Sequence, residues 1–339
     1  MGQVGIEDVR TAAARIGPYV RRTPLLAAQR ARGGPASGAL TLKLESLQVT
    51  GSFKARGAVN TLLSLSPEQV ARGLVTASGG NHGLGVAYAG YLAGTPATVY
   101  LPRNTPPAKA EKLAGWGARV VVEGEVWDDA NRLALAAAER EGLTYVHPFA
   151  DRRVIAGQGT VALELLEQDP STRLILVAIG GGGLIAGVAL TAKALDPTIR
   201  IVGVEPTGAP TLHDSLLAGR LVELPRIATD ANTLAPRRSA ELNLDLIRTH
   251  VDEIVLVEDE EMRAAARWLW TELGVAAELS GAAAVAAWLS GRVALPPDGP
   301  ACALVCGAGT DGLGKGFAQS HVKGPAARKS TRTRGLRAV

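Results

Sequence analysis

The chain has 339 residues, of which 47% are apolar and 20% charged; that is long enough for two domains sharing an interface and ordinary for a soluble globular protein. The net charge of +4 is concentrated in the stretch 323–339, where Lys323, Arg328, Lys329, Arg332, Arg334 and Arg337 stand without an acid. The remainder is close to neutral, so a nucleic-acid or membrane role is open only to that basic end, for which a solvated tail is the favoured reading, and no apolar run nears the ~18 residues a membrane helix needs.

From residue 40 onward, β-like and helix-like segments alternate. Strands are predicted at 40–45, 73–77, 97–101, 119–123 and 143–147, with helices at 55–65, 82–93, 107–116 and 128–140 between them. The pattern resumes with strands at 174–179, 201–205, 254–257 and 301–306, separated by helices at 184–195, 211–218, 260–273 and 281–289. Runs such as Leu174–Ile179 are apolar throughout, as strands buried on both faces are. The alternation predicts an α/β fold of two domains, each an open, mostly parallel, twisted sheet flanked by helices. The boundaries read as 1–48 plus 152–322 for the larger domain and 49–151 for the smaller. The tail 323–339, without apolar period, reads as a solvated, disordered basic end. Residues 225–236 are the least regular and read as a loop over the site. No internal repeat is found.

Only two cysteines occur, Cys302 and Cys306, on a short apolar run and not in a metal-ligand spacing. No disulfide framework or structural zinc site is expected, which points to a reducing compartment, the cytoplasm. Residues 1–10 lack the apolar stretch of a secretory signal.

In sheets of this kind, ligands sit beyond the carboxyl ends of the strands. Four stretches lie there. The first runs from Ser46 to Asn60, SLQVTGSFKARGAVN, and places Phe53 and Lys54 at a helix start. Lys54 reads either as a solvated first-turn lysine or as an inward-facing amine. In the second case burial would lower its pKa and free it to form an imine with an aldehyde cofactor. The second stretch, TASGGNHGLGVAYAG from Thr76, leaves a strand through Ser78, Gly79 and Gly80 and enters a helix near Asn81. Backbone N–H groups there suit a carboxylate or phosphate. His82 reads as catalytic or, equally, as a residue whose backbone matters. The bland alternative for the whole stretch is a glycine-rich capping turn.

The third stretch, VAIGGGGLIAG, holds Gly180, Gly181, Gly182 and Gly183, a bare backbone able to surround an anion. Gly181, Gly183 and Ala186 also fit G-x-G-x-x-A, with Glu205 about twenty residues on, so a nicotinamide-dinucleotide oxidoreductase is a rival reading. That rival leaves the first half of the chain unexplained. The fourth stretch, ALVCGAGTDG from Ala303, ends a strand in Cys306 before a glycine-rich turn; its bland reading is a buried strand cysteine.

These four stretches, in this order, resemble the fold-type II pyridoxal-phosphate (PLP) enzymes, and the chain is most similar to the threonine/serine dehydratases, from Arg22–Leu26 to CGAGTDG. The resemblance implies β-elimination of L-threonine or L-serine to a 2-oxo acid and ammonia. It also implies a small amino-acid substrate, no nucleic-acid or membrane partner, and a homodimer. In it Lys54 is the Schiff-base lysine and takes the substrate α-proton. Phe53 packs on the cofactor ring, Asn81 binds the ring hydroxyl, and Gly180 to Gly183 cradle the phosphate. Ser78, Gly79, Gly80, Asn81 and His82 bind the substrate carboxylate, and Cys306 faces the pyridine nitrogen. A thiol there cannot hold a full positive charge on that nitrogen, which favours prompt elimination over transamination.

Serine racemases of the family carry a serine at the position matching Gly79. Its absence here predicts racemisation as a minor activity at most. Several relatives bind a divalent cation through a glutamate matching Glu205, a carbonyl four residues on and an acid six residues on; here that last position is Thr211, and no metal site is expected. The run 230–241 departs from that of biosynthetic threonine dehydratases, which leaves 3-hydroxyaspartate open as a substrate, with Arg237 and Arg238 as candidates for a second carboxylate. No extra βαββαβ module follows the catalytic pattern, so allosteric control by isoleucine is not expected.

Overall fold

The computed structural model describes residues 4–29, 31–34, 40–296 and 299–313. The basic stretch 323–339, and residues 314–322 assigned above to the larger domain, lie outside the described residues. In chain order the helices are α1 (Ile6–Ile16), α2 (Lys54–Leu62), α3 (Pro67–Arg72), α4 (Asn81–Ala93), α5 (Pro107–Ala114), α6 (Trp127–Glu141), α7 (Arg152–Gln168), α8 (Gly183–Leu195), α9 (Thr211–Leu217), α10 (Glu241–His250), α11 (Asp259–Leu273) and α12 (Ala283–Leu289). The strands are β1 (Leu25–Ala27), β2 (Leu40–Lys43), β3 (Leu74–Ala77), β4 (Ala97–Leu101), β5 (Arg119–Val122), β6 (Thr144–Tyr145), β7 (Leu174–Ala178), β8 (Arg200–Pro206), β9 (Glu253–Val257) and β10 (Ala301–Leu304).

They form two sheets. One has six strands in the order β1-β2-β10-β7-β8-β9, with only the β1–β2 pair antiparallel. The other has four parallel strands, β5-β4-β3-β6. The fold is therefore the expected α/β arrangement of mostly parallel sheets, the single antiparallel pair lying at the edge of the larger one. Strands β7 and β10 are buried along their whole length, which is why their sequences are uniformly apolar.

Helix α7 is absent from the sequence-based expectation, because Gly157, Gln158, Gly159 and Thr160 interrupt its apolar period. Packing explains them. A Cβ on Gly157 would stand 2.6 Å from the Cα of Gly57 in α2, and one on Gly159 would stand 2.7 Å from Thr191 Oγ1 in α8. The glycines let α7 touch α2 on one side and α8 on the other. Since α2 opens with Lys54 and α8 with Gly183, one helix sets the distance between the two ends that matter.

Candidate active site

The turn before α2 aims Lys54. Thr50 has φ +65°, the only non-glycine residue of positive φ among those described; a β-branched residue adopts this only under constraint. The constraint is the turn after β10. Ala308 N–H donates to Gly51 O (2.8 Å), Phe53 N–H donates to Cys306 O (3.3 Å), and Ser52 bridges to Gly307. This lashing sets Lys54 beside Cys306. The hydroxyls of Thr50 and Ser52 are buried in the same turn with no hydrogen-bond partner.

Lys54 Nζ donates to Pro148 O at 2.6 Å and stands 5.1 Å from the centroid of the Phe53 ring. Burial lowers its pKa to about 8, against the weaker opposing pull of Cys306 and Glu278. Of the two sequence readings, the inward-facing amine is the one observed.

Gly80 caps α4, and Ser78 Oγ accepts from Gly80 N–H at 3.3 Å. The first N–H groups of α4 have no intrahelical acceptor, so Ser78 to Asn81 frame an anion-binding end. The His82 side chain is not part of it. Its ring is buried, donates from Nε2 to Val146 O (2.9 Å), and has its pKa pushed down to about 3, chiefly by burial. It is a neutral structural histidine, and only its backbone adjoins the loop. At Gly79, a Cβ would lie 3.2 Å from Thr105 Cγ2 and 3.3 Å from Leu101 Cδ2, so a side chain there would press on both.

The glycine run follows β7 and opens α8, with Gly182 at φ +88° as the cap. Its side-chain directions are filled by other parts of the chain. A Cβ on Gly181 would come within 2.2 Å of the Phe149 ring, and one on Gly180 within 2.7 Å of Thr233 O. Asn243 Nδ2 (2.5 Å) and Ser239 Oγ (2.9 Å) both donate to Gly181 O. What remains of the loop is a held, bare backbone at a helix N-terminus, the arrangement that binds an anion. The segment His147–Pro148–Phe149, unmarked in the sequence-based reading, links this loop to the lysine. Pro148 supplies the carbonyl that meets Lys54, Phe149 packs on the glycines, and His147 Nδ1 accepts from Ala150 N–H (2.8 Å) to hold the turn.

Cys306 lies two residues past β10, buried, with Sγ 3.7 Å from Ser280 O. Burial pushes its thiol well above the usual range, so it is neutral. Two further residues were not singled out in the sequence. Glu278 accepts from Asn81 Nδ2 at 2.7 Å and from Thr233 Oγ1 at 3.3 Å. Burial, with the charge of Asp311, raises its pKa to about 7. Nothing local in AAELSG marks Glu278; only tertiary packing brings it here. Thr233 lies within 225–236, whose placement beside the glycine run accords with the expected loop over the site. Arg237 is engaged at the surface with Leu224 O and Glu223, and Arg238 is exposed.

The oxygens expected of a cation site around Glu205 already accept hydrogen bonds. The buried carboxylate accepts Leu212 N–H (2.9 Å) on one oxygen and His213 N–H (2.8 Å) on the other. Ala209 O accepts Thr211 N–H, and Thr211 Oγ1 donates to Pro236 O at 2.7 Å. Burial raises Glu205 to about 8 even with these bonds, and the described residues contain no group of three or more His, Cys, Asp or Glu fit to hold a metal. Thr211 brings no acid to this set and its hydroxyl donates to Pro236 O, so the expectation of no divalent ion here stands on the missing carboxylate. Accordingly, about 5 mM magnesium and excess chelator are expected to give the same melting temperature and the same turnover; a change above about twofold in turnover between them would contradict this reading of Glu205.

An aldehyde cofactor carrying a phosphate fits the lysine site. The amine is desolvated, the glycine loop at α8 is bare and held, Asn81 offers a neutral donor and acceptor, and the Cys306 thiol is uncharged. Comparison with known proteins agrees. Residues 16–307 match the family model described as "Pyridoxal-phosphate dependent enzyme". The chain is 40% identical over 287 residues to an L-threonine ammonia-lyase of Thermotoga maritima, a match covering 85% of this chain and 71% of that protein. The structure is similar to maize serine racemase, with TM-score 0.86 and 36% identity, covering 94% of this chain and 96% of that one. It is also similar to the processed form of threonine deaminase isoform 2 from Solanum lycopersicum, with TM-score 0.84 and 33% identity, covering 91% and 87%.

Proposed function

The chain belongs to the pyridoxal-phosphate dependent enzyme family, and from that premise we propose that it is an ammonia-lyase converting L-threonine, and L-serine with it, to the 2-oxo acid and ammonia. The observation that carries this is the Lys54 amine, held at Pro148 O with its pKa near 8 and flanked by the Cys306 turn. When bound, the cofactor supplies an electron sink that acidifies the substrate α-proton. Lys54 Nζ holds the cofactor and then moves that proton. Backbone N–H groups from Ser78 to His82 orient the substrate carboxylate, and Asn81 faces the ring hydroxyl. Gly180, Gly181, Gly182 and Gly183 would hold the phosphate, and Phe53 would pack on the ring. Cys306, neutral, would offer no charge to the ring nitrogen of a bound cofactor, which would favour loss of the β-hydroxyl over transamination.

Serine racemase is the second reading, and Gly79 weighs against it. No side chain stands there to deliver a proton to the opposite face, and one placed there would press on Thr105 and Leu101. The test is to incubate purified protein with L-threonine, L-serine and 3-hydroxyaspartate, measuring 2-oxo acid and ammonia, with chiral separation of the residual serine. D-serine forming as fast as pyruvate would sink the elimination reading. A colourless protein that ignores pyridoxal phosphate and binds a nicotinamide dinucleotide would refute it altogether.

Cofactor uptake should depend on pH in a defined sense. Only the unprotonated amine attacks an aldehyde. With Lys54 near 8, the initial rate of uptake by the apoprotein should rise about tenfold between pH 7 and pH 9 and then level off. An amine at its ordinary value would instead gain about a hundredfold over that span and keep climbing.

The two sheets draw on separate parts of the chain, which supports the division at 49–151 against the remainder. We extend the reading to a cytoplasmic homodimer. Support comes from the two buried free cysteines, from the described residues containing no helix long and apolar enough to cross a membrane, and from the general prevalence of two-fold oligomers. Light scattering on the eluted protein checks the dimer.

A further inference from the structure

Glu278 has no part in the chemistry just described, yet it stands where three elements converge on the site. Its Oε1 accepts from Asn81 Nδ2 (2.7 Å), the first residue of α4 on the four-stranded-sheet side. The same oxygen accepts from Thr233 Oγ1 (3.3 Å), in the segment lying against the glycine run. Its backbone N–H donates to Gly307 O (3.1 Å), in the turn that lashes down Lys54. Gly307 makes room for this: a Cβ there would fall 2.3 Å from Glu278 Oε1 and 3.1 Å from Asn81 Nδ2. Above about pH 7, where Glu278 is ionised, its carboxylate is acceptor-only, so Asn81 turns its amide nitrogen toward it, as observed, which leaves one N–H and the carbonyl oxygen for a ligand. An unanchored amide has no such preference.

We propose that Glu278 is a positioning residue of the active site: its carboxylate fixes the orientation of the Asn81 amide. The proposal rests on the reading of Asn81 as a cofactor contact. It differs from a general structural role because its effect must pass through Asn81.

The test is a double-mutant cycle with Asn81→Ala and Glu278→Ala, read in two ways. In apoprotein, the two single variants should each lower the melting temperature, and the double variant should lose less than the sum of both. In cofactor titrations followed by absorbance, Glu278→Ala should weaken pyridoxal-phosphate binding about tenfold, the scale of a charge-assisted hydrogen bond. In the Asn81→Ala background the same substitution should cost less than about twofold. Glu278→Gln keeps the acceptor oxygen; it should bind cofactor within about threefold of wild type, and it carries the test if the alanine variant does not fold. Multiplicative losses in the cycle, additive shifts in the apoprotein, or a glutamine variant as weak as the alanine one would each overturn the proposal. Failure of the functional reading shows differently, as wild-type protein that takes up no pyridoxal phosphate, and the apoprotein cycle still decides Glu278 in that case.

Discussion

Lys54→Ala is expected to yield a colourless protein whose ammonia release from threonine falls by about 10⁴-fold or more, with its fold intact. The loss is large because one side chain does two jobs, holding the cofactor and moving the α-proton. No neighbour can substitute. His82 is turned to Val146 O, the Cys306 thiol is neutral, and Gly79 has no side chain. Stability should barely change. The Lys54 amine makes a single hydrogen bond, to Pro148 O, and its burial as a cation is unfavourable, while alanine is the best helix former at the start of α2. The comparison with Lys43 sharpens the point. Lys43 is also fully buried, but its amine donates to Thr23 O (2.8 Å), Glu164 Oε1 (2.6 Å) and Gln168 Oε1 (2.7 Å). Three donors meet three acceptors, leaving nothing free to react. The checks are absorbance before and after borohydride, and ammonia release. Colour or turnover persisting in Lys54→Ala would assign the chemistry to another lysine.

The parts of this site legible in the sequence are those that chain direction alone produces. A strand that ends in glycines and runs into a helix places the glycines at the strand's carboxyl end, so Gly180–Gly183, Ser78–Asn81 and Cys306 are each legible as lying just past a strand, where ligands sit. The strand at 97–101 is found as Ala97–Leu101 and the helix at 184–195 as Gly183–Leu195, because the strand is buried throughout and the helix from Gly183 to Ala192. Other features depend on distant partners. Helix α7 was hidden because its glycines serve contacts with α2 and α8. The glutamates Glu45, Glu164 and Glu278 carry no local signal, since each acquires its meaning from a residue many positions away. His82 was undecidable for the same reason: its ring partner, Val146 O, lies 64 residues on.

The network behind Lys54 should give the largest stability effect. Arg56, two residues beyond Lys54, forks onto Glu45 through Nε (2.8 Å) and Nη2 (2.7 Å). It also reaches Glu164 Oε2 and Thr160 Oγ1 in α7, each at 3.2 Å. Burial pushes the Glu45 carboxyl up, but the guanidinium beside it prevails and holds it below the usual carboxylate range. Arg56→Met would leave Glu45 buried beside a weaker partner set, Thr23 and the more distant Lys43, at a cost of about 3–5 kcal/mol. The sign with pH follows. In wild type the Glu45 contribution is present above its unfolded pKa and is lost as pH falls through the depressed folded value. In Arg56→Met, burial dominates and raises the folded value, so Glu45 takes up a proton on folding. The gap between variant and wild type, measured by guanidinium unfolding, should therefore narrow from pH 7 toward pH 5; a gap independent of pH would mean that packing, not charge, is what the arginine supplies. Adding Glu45→Leu to Arg56→Met should recover part of the stability, because a buried pair replaced on both sides leaves one fewer orphan. Activity should not recover with it. The fork ties α2, which Lys54 opens, to Glu45 just beyond β2 and to Glu164 in α7, and the leucine cannot restore those ties.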